Sequence, residues 1–253
     1  MKIQSPKDRG SWDIEVVGPD RIFLKRQKSH KEYYENFEIQ GNFHALFVVK
    51  KFSGDVCYLV DDKEVRPQST SFGLFLPAFS IAKFASINMA LEGYVVLHLN
   101  PGNLSLDRPT LFQAPAELLD TPDLPFDKFL SGCANFQDIS VSTKPSNVSR
   151  RAKDLISEHF HTSRSLAEIA ADLKTSGALM AREFKSDFKL SPSDYRKRIR
   201  IATAAILLAL GSEPGVVSDE VGYEDLSRFY KQFKELSTLT PGAFKKSKNA
   251  KRV

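Results

Sequence analysis

The chain has 253 residues, long for one domain and comfortable for two of roughly 100–150 residues. Its 42% apolar and 26% charged content excludes a disordered chain, and no stretch approaches the about 18 uncharged apolar residues of a spanning helix. The net charge of +5 is unevenly placed: residues 1–149 hold 16 basic and 18 acidic side chains, net −2, and residues 150–253 hold 20 and 13, net +7. The basic excess therefore sits in the C-terminal part, which suits a module facing an anionic polymer or surface. Residues 1–11 lack the apolar core of a signal peptide. Cys57 and Cys133 lie far apart without CxxC spacing, so neither a disulfide framework nor a cysteine zinc site is expected, and the implied compartment is the cytoplasm.

The first hundred residues read as β. Short β-branched and aromatic runs fall at Trp12–Val17, Arg21–Arg26, Tyr34–Ile39, Phe43–Lys50, Val56–Val60, Ser71–Leu76, Phe84–Met89 and Tyr94–Leu99. Turn signals separate them at Gly18-Pro19-Asp20, Gly41-Asn42, Ser53-Gly54-Asp55, Asp61-Asp62 and Glu92-Gly93. Many short strands at even spacing point to a sandwich or small barrel. Five prolines from Pro101 to Pro125 then argue for loops and at most short helices. From Phe126 to Ile139 a helical stripe of Phe126, Phe129, Leu130 and Cys133 is expected, either pairing two subunits or covering the open end of the β domain. Residues 141–149, rich in Ser, Thr, Pro and Asn, read as a linker.

After Ser149 the periodicity is helical. Arg150–Phe160 places Ala152, Leu155, Ile156 and His159 on one face, and Ser165 with Glu168 forms a capping-box pattern ahead of Leu166–Leu173. A turn at Lys174-Thr175 leads to Ser176, an N-cap, and a helix burying Met180, Phe184 and Phe188. Two short helices across a tight turn form a helix-turn-helix pattern. Ser191-Pro192 opens a long helix to about Leu210 with Tyr195, Ile199, Ala202, Ile206 and Leu210 inward. The pattern then repeats. A short helix from Pro214 carries Val217 and Val221, a turn at Gly222-Tyr223 follows, and a helix capped by Asp225 buries Phe229, Phe233 and Leu236. Thr240-Pro241 starts the last helix, and the basic tail from Lys245 to Arg252 is expected to be disordered. The interval from Phe184 to Pro192 and from Phe233 to Pro241 is eight residues in both copies, which marks a duplication.

These segments resemble the AraC/XylS family of bacterial transcription regulators. The resemblance covers about residues 150–246 and rests on Leu166-Ala-Glu-Ile-Ala170, Ser176 with Arg182-Glu-Phe-Lys185, Ser191-Pro192 with Tyr195, and Val221-Gly-Tyr-Glu-Asp-Leu-Ser-Arg-Phe229 with Phe233-Lys234 and Thr240-Pro241. It implies an all-α DNA-binding domain over 150–253, with two helix-turn-helix units joined by a long helix and reading successive major grooves. It also implies an α+β chain overall, whose β-rich, cupin-like N-terminal domain (1–140) senses an effector and pairs two copies. Double-stranded DNA and RNA polymerase are then the expected partners. Three positions depart from the family pattern: Lys189 and Thr238 stand where glycine is usual, and Pro214 where an aliphatic residue is usual. They motivate an alternative in which the chain is a sensor or interaction protein with a weakened DNA module.

For DNA, Lys and Arg supply affinity through counterion release and base-edge contacts supply sequence preference. With Met180 and Phe184 inward, Ala178, Ala181, Arg182 and Lys185 are the candidates on the first reading helix, Arg182 foremost for guanine. The bland reading of Arg182 is a surface charge paired with Asp187 or a neighbour. On the second reading helix Ser227, Arg228, Tyr230, Lys231 and Lys234 are the candidates, with Glu224, Asp225 and Glu235 as competitors for Lys231. In the run Arg196-Lys-Arg198-Ile-Arg200, Arg196 leads a possible phosphate clamp whose bland reading is a solvated helix face.

The N-terminal half offers no enzyme signature. His30, His44 and His98 are isolated in sequence and no HxH pair occurs among them, so no metal site and no cofactor are expected; nucleophile elbow, P-loop and dinucleotide fingerprints are missing as well. Phe43, Phe47, Tyr58, Phe75 and Tyr94 are the candidates for an apolar effector pocket, and packed core is the competing reading.

Overall fold

The N-terminal half is built around two long strands. The computed structural model describes residues 9–16, 21–98, 106–115, 126–237 and 239–249, in one unit that runs to Ser140 and a second that starts at Val141. Thr238 and the Gly18-Pro19-Asp20 turn lie outside the described residues. In the first unit the strands are β1 (Arg9–Val16), β2 (Arg21–His30), β3 (Tyr34–Ile39), β4 (His44–Val60), β5 (Lys63–Val65), β6 (Phe72–Leu76), β7 (Ile81–His98), β8 (Thr110–Gln113) and β9 (Ala134–Asp138), with α1 (Phe126–Ser131) before the last. They form an antiparallel sheet in the order β1-β2-β7-β4-β6-β8-β9, with β3 added on β7 and β5 on β4. The β-rich domain expected from sequence is present, as an antiparallel sheet.

Two of the expected turns are strand interior instead. β4 runs through Ser53-Gly54-Asp55 and β7 through Glu92-Gly93, each joining two runs that the sequence reading kept apart. Gly54 has φ +96° and faces Asn88, itself at φ 48°, where the register between β4 and β7 shifts. A Cβ on Gly54 would fall 2.1 Å from the Asn88 carbonyl oxygen, so this glycine serves a bulge that bends a continuous pair. The Asp61-Asp62 signal does make a turn: both residues have positive φ, 46° and 65°, and they close the two-residue hairpin between Val60 and Lys63.

The stripe expected from Phe126 to Ile139 is interrupted. α1 stops at Ser131, ahead of Gly132, and Ala134–Asp138 pairs with β8. β8 is a strand inside a stretch that the prolines marked as loop, so its unpaired edge was not visible in the local pattern. Phe129 and Leu130 are buried against Leu46, Val48, Phe75, Val96 and Phe112. Of the two roles expected for the stripe, these side chains cover the β core.

The second unit is all helix: α2 (Asn147–Glu158), α3 (Leu166–Asp172), α4 (Gly177–Phe188), α5 (Pro192–Leu210), α6 (Pro214–Glu220), α7 (Leu226–Ser237) and α8 (Pro241–Asn249). Local side-chain chemistry starts most of them. Ser165 and Glu168 exchange bonds in a capping box, the Ser165 N–H donating to Glu168 Oε2 at 2.7 Å and the Glu168 N–H to Ser165 Oγ at 3.2 Å. Ser176 and Ser191 accept from Leu179 N and Asp194 N, each at 3.1 Å. Asp225 accepts from Ser227 N at 2.8 Å, and Thr240 from Ala243 N at 3.2 Å. α8 carries the chain as helix to Asn249, into the segment expected to be disordered, with Phe244 packed 5.5 Å from the Phe233 ring.

α5 departs from a single inward stripe. Its first half buries Tyr195 and Ile199, its second half Ile201, Ala204 and Leu208. At about 3.6 residues per turn these sets lie on nearly opposite sides of the helix. Each half therefore closes a different core. The expected continuation through Ala202 and Ile206 is half-buried, and Leu210 is exposed.

Lys189, at a family glycine position, ends α4 with φ 60° and ψ 10°. The left-handed turn is thus kept without glycine, at about 1–2 kcal/mol, partly offset because glycine's unfolded freedom costs roughly 0.5–1 kcal/mol. Lys189→Gly is expected to stabilise the helical unit by about 1 kcal/mol, read as a higher denaturation midpoint at unchanged slope. An unchanged or lower midpoint would show that the lysine side chain compensates for its backbone.

Candidate nucleic-acid interface

The two helix-turn-helix units repeat one backbone design. After α3, Lys174 N–H donates to Ala171 O at 2.9 Å and Thr175 N–H to Ala170 O at 3.0 Å; after α6, Gly222 N–H donates to Asp219 O at 3.0 Å and Tyr223 N–H to Ser218 O at 2.9 Å. Lys174 and Gly222 hold equivalent places, with φ 53° and 83°. Such paired bonds satisfy the last carbonyls of a helix and turn the chain sharply into the next. Both copies thereby present a second helix, α4 or α7, anchored by two aromatic side chains.

In α4, Met180, Phe184 and Phe188 point inward. Ala178, Arg182 and Lys185 are exposed and Ala181 is half-buried. Arg182 has 74% of its side chain exposed, with Nη2 at 3.5 Å from Glu183 Oε1. Asp187, the competitor named from sequence, accepts instead from Ser146 N at 2.9 Å. In α7, Phe229 and Phe233 are fully buried, while Ser227, Arg228, Lys231 and Lys234 are exposed. Tyr230 is half-buried, its ring edge-on to Phe229 at 6.0 Å. Lys185 and Lys231 have no ion-pair partner among the described residues; of Lys231's expected competitors, Asp225 serves its cap and Glu235 pairs with Lys197 at 3.2 Å. Leu226, at the start of α7, is 48% exposed. A polar groove of about 580 Å³ lies beside α7, lined by Ser163, Ser191, Arg196, Lys197, Arg228 and Gln232 among others.

The run Arg196–Arg200 is not a free phosphate clamp. Arg196 Nη1 donates to Arg164 O at 2.6 Å, Lys197 is held by Asp194 at 3.0 Å and by Glu235, and Arg198 Nε stands 3.9 Å from Asp194. Arg200 donates from Nε to Phe160 O at 2.6 Å and from Nη2 to Thr162 O at 2.9 Å. The physical reason lies beyond α2, where the chain continues to Ser165 without helical bonds and its carbonyls need donors. Burial holds the Arg196 guanidinium below its ordinary range and draws that of Arg200 down to about 10. Sequence reasoning missed Arg200 and its neighbour Tyr223 as fasteners. Their one signal was a cationic run on a helix that the fold needed to bury on two sides.

In the β unit, Phe47, Tyr58 and Tyr94 border one apolar cavity together with Phe72, Phe84 and Met89, but the cavity measures only about 40 Å³. Phe43 and Phe75 do not border it: both are buried, and Phe75 stacks on His44 at 5.7 Å and packs in the core cluster under Phe129 and Leu130. His44 and His98, isolated in sequence, are direct cross-strand partners. Among the described residues no three His, Cys, Asp or Glu side chains converge as metal ligands, and no helix is long and apolar enough to cross a membrane.

Comparison with known proteins places this geometry. A family model described as "Helix-turn-helix domain" matches residues 169–247. The chain is similar to an uncharacterized HTH-type transcriptional regulator, YisR, of Bacillus subtilis strain 168, at 23% identity over 107 residues, 42% of this chain and 37% of that protein. The match thus spans little more than a third of the relative's length. Among solved structures, a probable AraC family transcriptional regulator from Rhodopseudomonas palustris is 18% identical over 41% of this chain and 98% of its own, with a TM-score of 0.38. ToxT from Vibrio cholerae, solved with a bound unsaturated fatty acid, is 12% identical over 91% of this chain and 96% of its own, with a TM-score of 0.52. That likeness is one of fold, a β domain followed by a helical region. With the duplicated turns and the matched segment taken together, residues 169–247 are an AraC-type helix-turn-helix domain, the DNA-binding module of a family of transcription regulators rather than enzymes.

Proposed function

We propose that the chain is a cytoplasmic, sequence-specific transcription regulator that reads two successive major grooves of double-stranded DNA and acts on RNA polymerase. The observation that carries this reading is the repeated unit: two turns with the same hydrogen bonds, each feeding a helix with buried aromatics on one side and exposed cations on the other. In α4 the reader is Arg182, with Lys185 on phosphate and the methyl groups of Ala178 and Ala181 allowing close approach. In α7, Ser227, Arg228 and Lys231 meet base edges, with Lys234 on phosphate and Tyr230 at the flank. Arg196 is left out because its guanidinium already serves Arg164. The weakened-module alternative loses one of its motives, since Lys189 adopts the left-handed turn that glycine would supply.

Selection of bound duplexes from a random library by the full-length protein tests the reading. Two short motifs about one helical turn apart, 10–10.5 bp, are expected; no enrichment at low salt would sink it. Arg182→Ala should then cost about 1–3 kcal/mol of discrimination at one base position while leaving the second motif intact. A specific-to-random affinity ratio equal to that of the unmodified protein would remove Arg182 as a reader.

The N-terminal unit serves as the regulatory domain for an apolar or aromatic small molecule. Its aromatic-lined cavity supports this reading, as does the fatty acid bound by ToxT, a protein of similar fold. A cavity of about 40 Å³ holds roughly one water, so a ligand must displace side chains to enter. Saturation at about 100 times Kd should add about 2.7 kcal/mol. A panel of long-chain and aromatic acids that leaves the melting temperature unmoved would argue against this site.

A further inference from the structure

Within the helical unit, α5 is the shared element on which two separate cores meet. Tyr195 and Ile199 close the core of the first helix-turn-helix unit, with Phe184 against Tyr195 at 5.5 Å. Ile201, Ala204 and Leu208 close the second, with Val217, Val221, Phe229 and Phe233. Arg200 lies between these two sets and touches both sides. Its fork holds the Phe160 and Thr162 carbonyls ahead of α3, and its guanidinium carbon lies 5.3 Å from the centre of the Tyr223 ring in the second turn. The Tyr223 hydroxyl donates to Gln232 Oε1 at 2.6 Å, on α7 itself. Beside it, Gly222 comes so close to the His161 carbonyl oxygen that a Cβ would stand 2.4 Å away. An unbroken line of contacts therefore runs from the loop before α3, through Arg200 and Tyr223, to the second reading helix.

We infer that Arg200 is a positioning residue that fixes the distance and angular phase between the two reading helices, and so dictates the half-site spacing the protein accepts. The inference rests on the reading of the chain as a two-site DNA binder. A shift of one base pair moves a half-site by about 3.4 Å and turns it by about 35° around the duplex. Hydrogen bonds tolerate only tenths of an ångström, so a joint made of three carbonyl and ring contacts rejects such a shift. A lysine supplies the charge but neither the planar fork nor the stacking face.

The test uses the full-length protein and the paired motif recovered by selection. Affinity is measured for that operator and for versions one base pair shorter and longer, and for operators with one half scrambled. The unmodified protein should lose at least about tenfold, roughly 1.4 kcal/mol, on either change of spacing. Arg200→Lys should lose less than about threefold while binding each single half-site as before. Tyr223→Phe keeps the ring under Arg200 and removes only the bond to Gln232. It should relax spacing in the same direction by a smaller factor, and it carries the test if Arg200→Lys does not fold by thermal melting. Variants that keep the full tenfold penalty, or that lose single-site affinity in step with the paired operator, overturn the inference. A protein that selects no paired motif at all overturns the two-site reading, and the positioning role with it.

Discussion

Gly222→Ala is expected to be one of the two most damaging single substitutions in the helical unit. Two independent effects add. The residue has φ +83°, which costs a side-chain-bearing residue about 1–2 kcal/mol. The new methyl group would also stand 2.4 Å from the His161 carbonyl oxygen and 3.0 Å from Arg200 Nη2, neither of which is a free side-chain end. Overpacking of this kind costs about 1–3 kcal/mol, so a loss near 3–4 kcal/mol is expected. For a unit of this size the melting temperature falls by more than about 10 °C. Calorimetry on the full chain should show that transition move while the β unit's transition stays in place. A change below about 1 kcal/mol would mean that the loop at His161 yields, and that the close approach is not a constraint.

The second large effect is expected for Phe184→Ala. The side chain is fully buried, its ring 4.7 Å from Phe188 and 5.5 Å from Tyr195. Removing such a ring costs about 3–5 kcal/mol through lost transfer free energy and the cavity left behind. Phe184 is two residues from Arg182, yet the two substitutions should separate cleanly. Arg182→Ala, at an exposed position, should leave the unfolding free energy within about 0.5 kcal/mol and change what DNA is preferred. Phe184→Ala should lower stability and weaken binding to every sequence in proportion. If Phe184→Ala changed sequence preference at full stability, the inward and outward faces of α4 would have to be reassigned.

Five helix starts were legible because their chemistry is local; that of α2 was not, since Ser146 caps a helix that begins at Asn147, inside the stretch expected to be linker. Ser165 with Glu168, Ser176, Ser191 with Pro192, Asp225 and Thr240 each act on amides within three residues, and each does so in the structure. Duplication was legible for the same reason, as a repeated order of caps and aromatics. What local pattern did not reveal depends on partners distant in the chain. Gly54 and Gly93 read as turns because each looks like an interruption. Only the opposing strand shows that one relieves a bulge against Asn88 and the other lets the Val48 carbonyl approach, 2.1 Å from where a Cβ would be. β9 needed β8 as a partner, and β8 was hidden among prolines. Arg196 and Arg200 read as a charged face because the carbonyls they satisfy belong to a loop 32 and 40 residues earlier. Among the pocket candidates, Phe47 and Phe75 differ by the face of the sheet on which each lies, which composition does not encode.

The opposite burial of the two halves of α5 makes its residue count a gauge. Every residue added to an α-helix advances it by about 1.5 Å and rotates it by about 100°. An insertion between Ile199 and Ile201 would therefore swing the second core a quarter-turn or more about the helix axis while leaving both cores chemically intact. No small change in operator spacing matches that angle, since neighbouring base pairs differ by about 35°. The length of α5 can thus drift at its ends, beyond Leu208, but not between its two cores. Substitution there is tolerable where insertion is not, and relatives that accept different operators would have to alter side chains at this joint rather than its length.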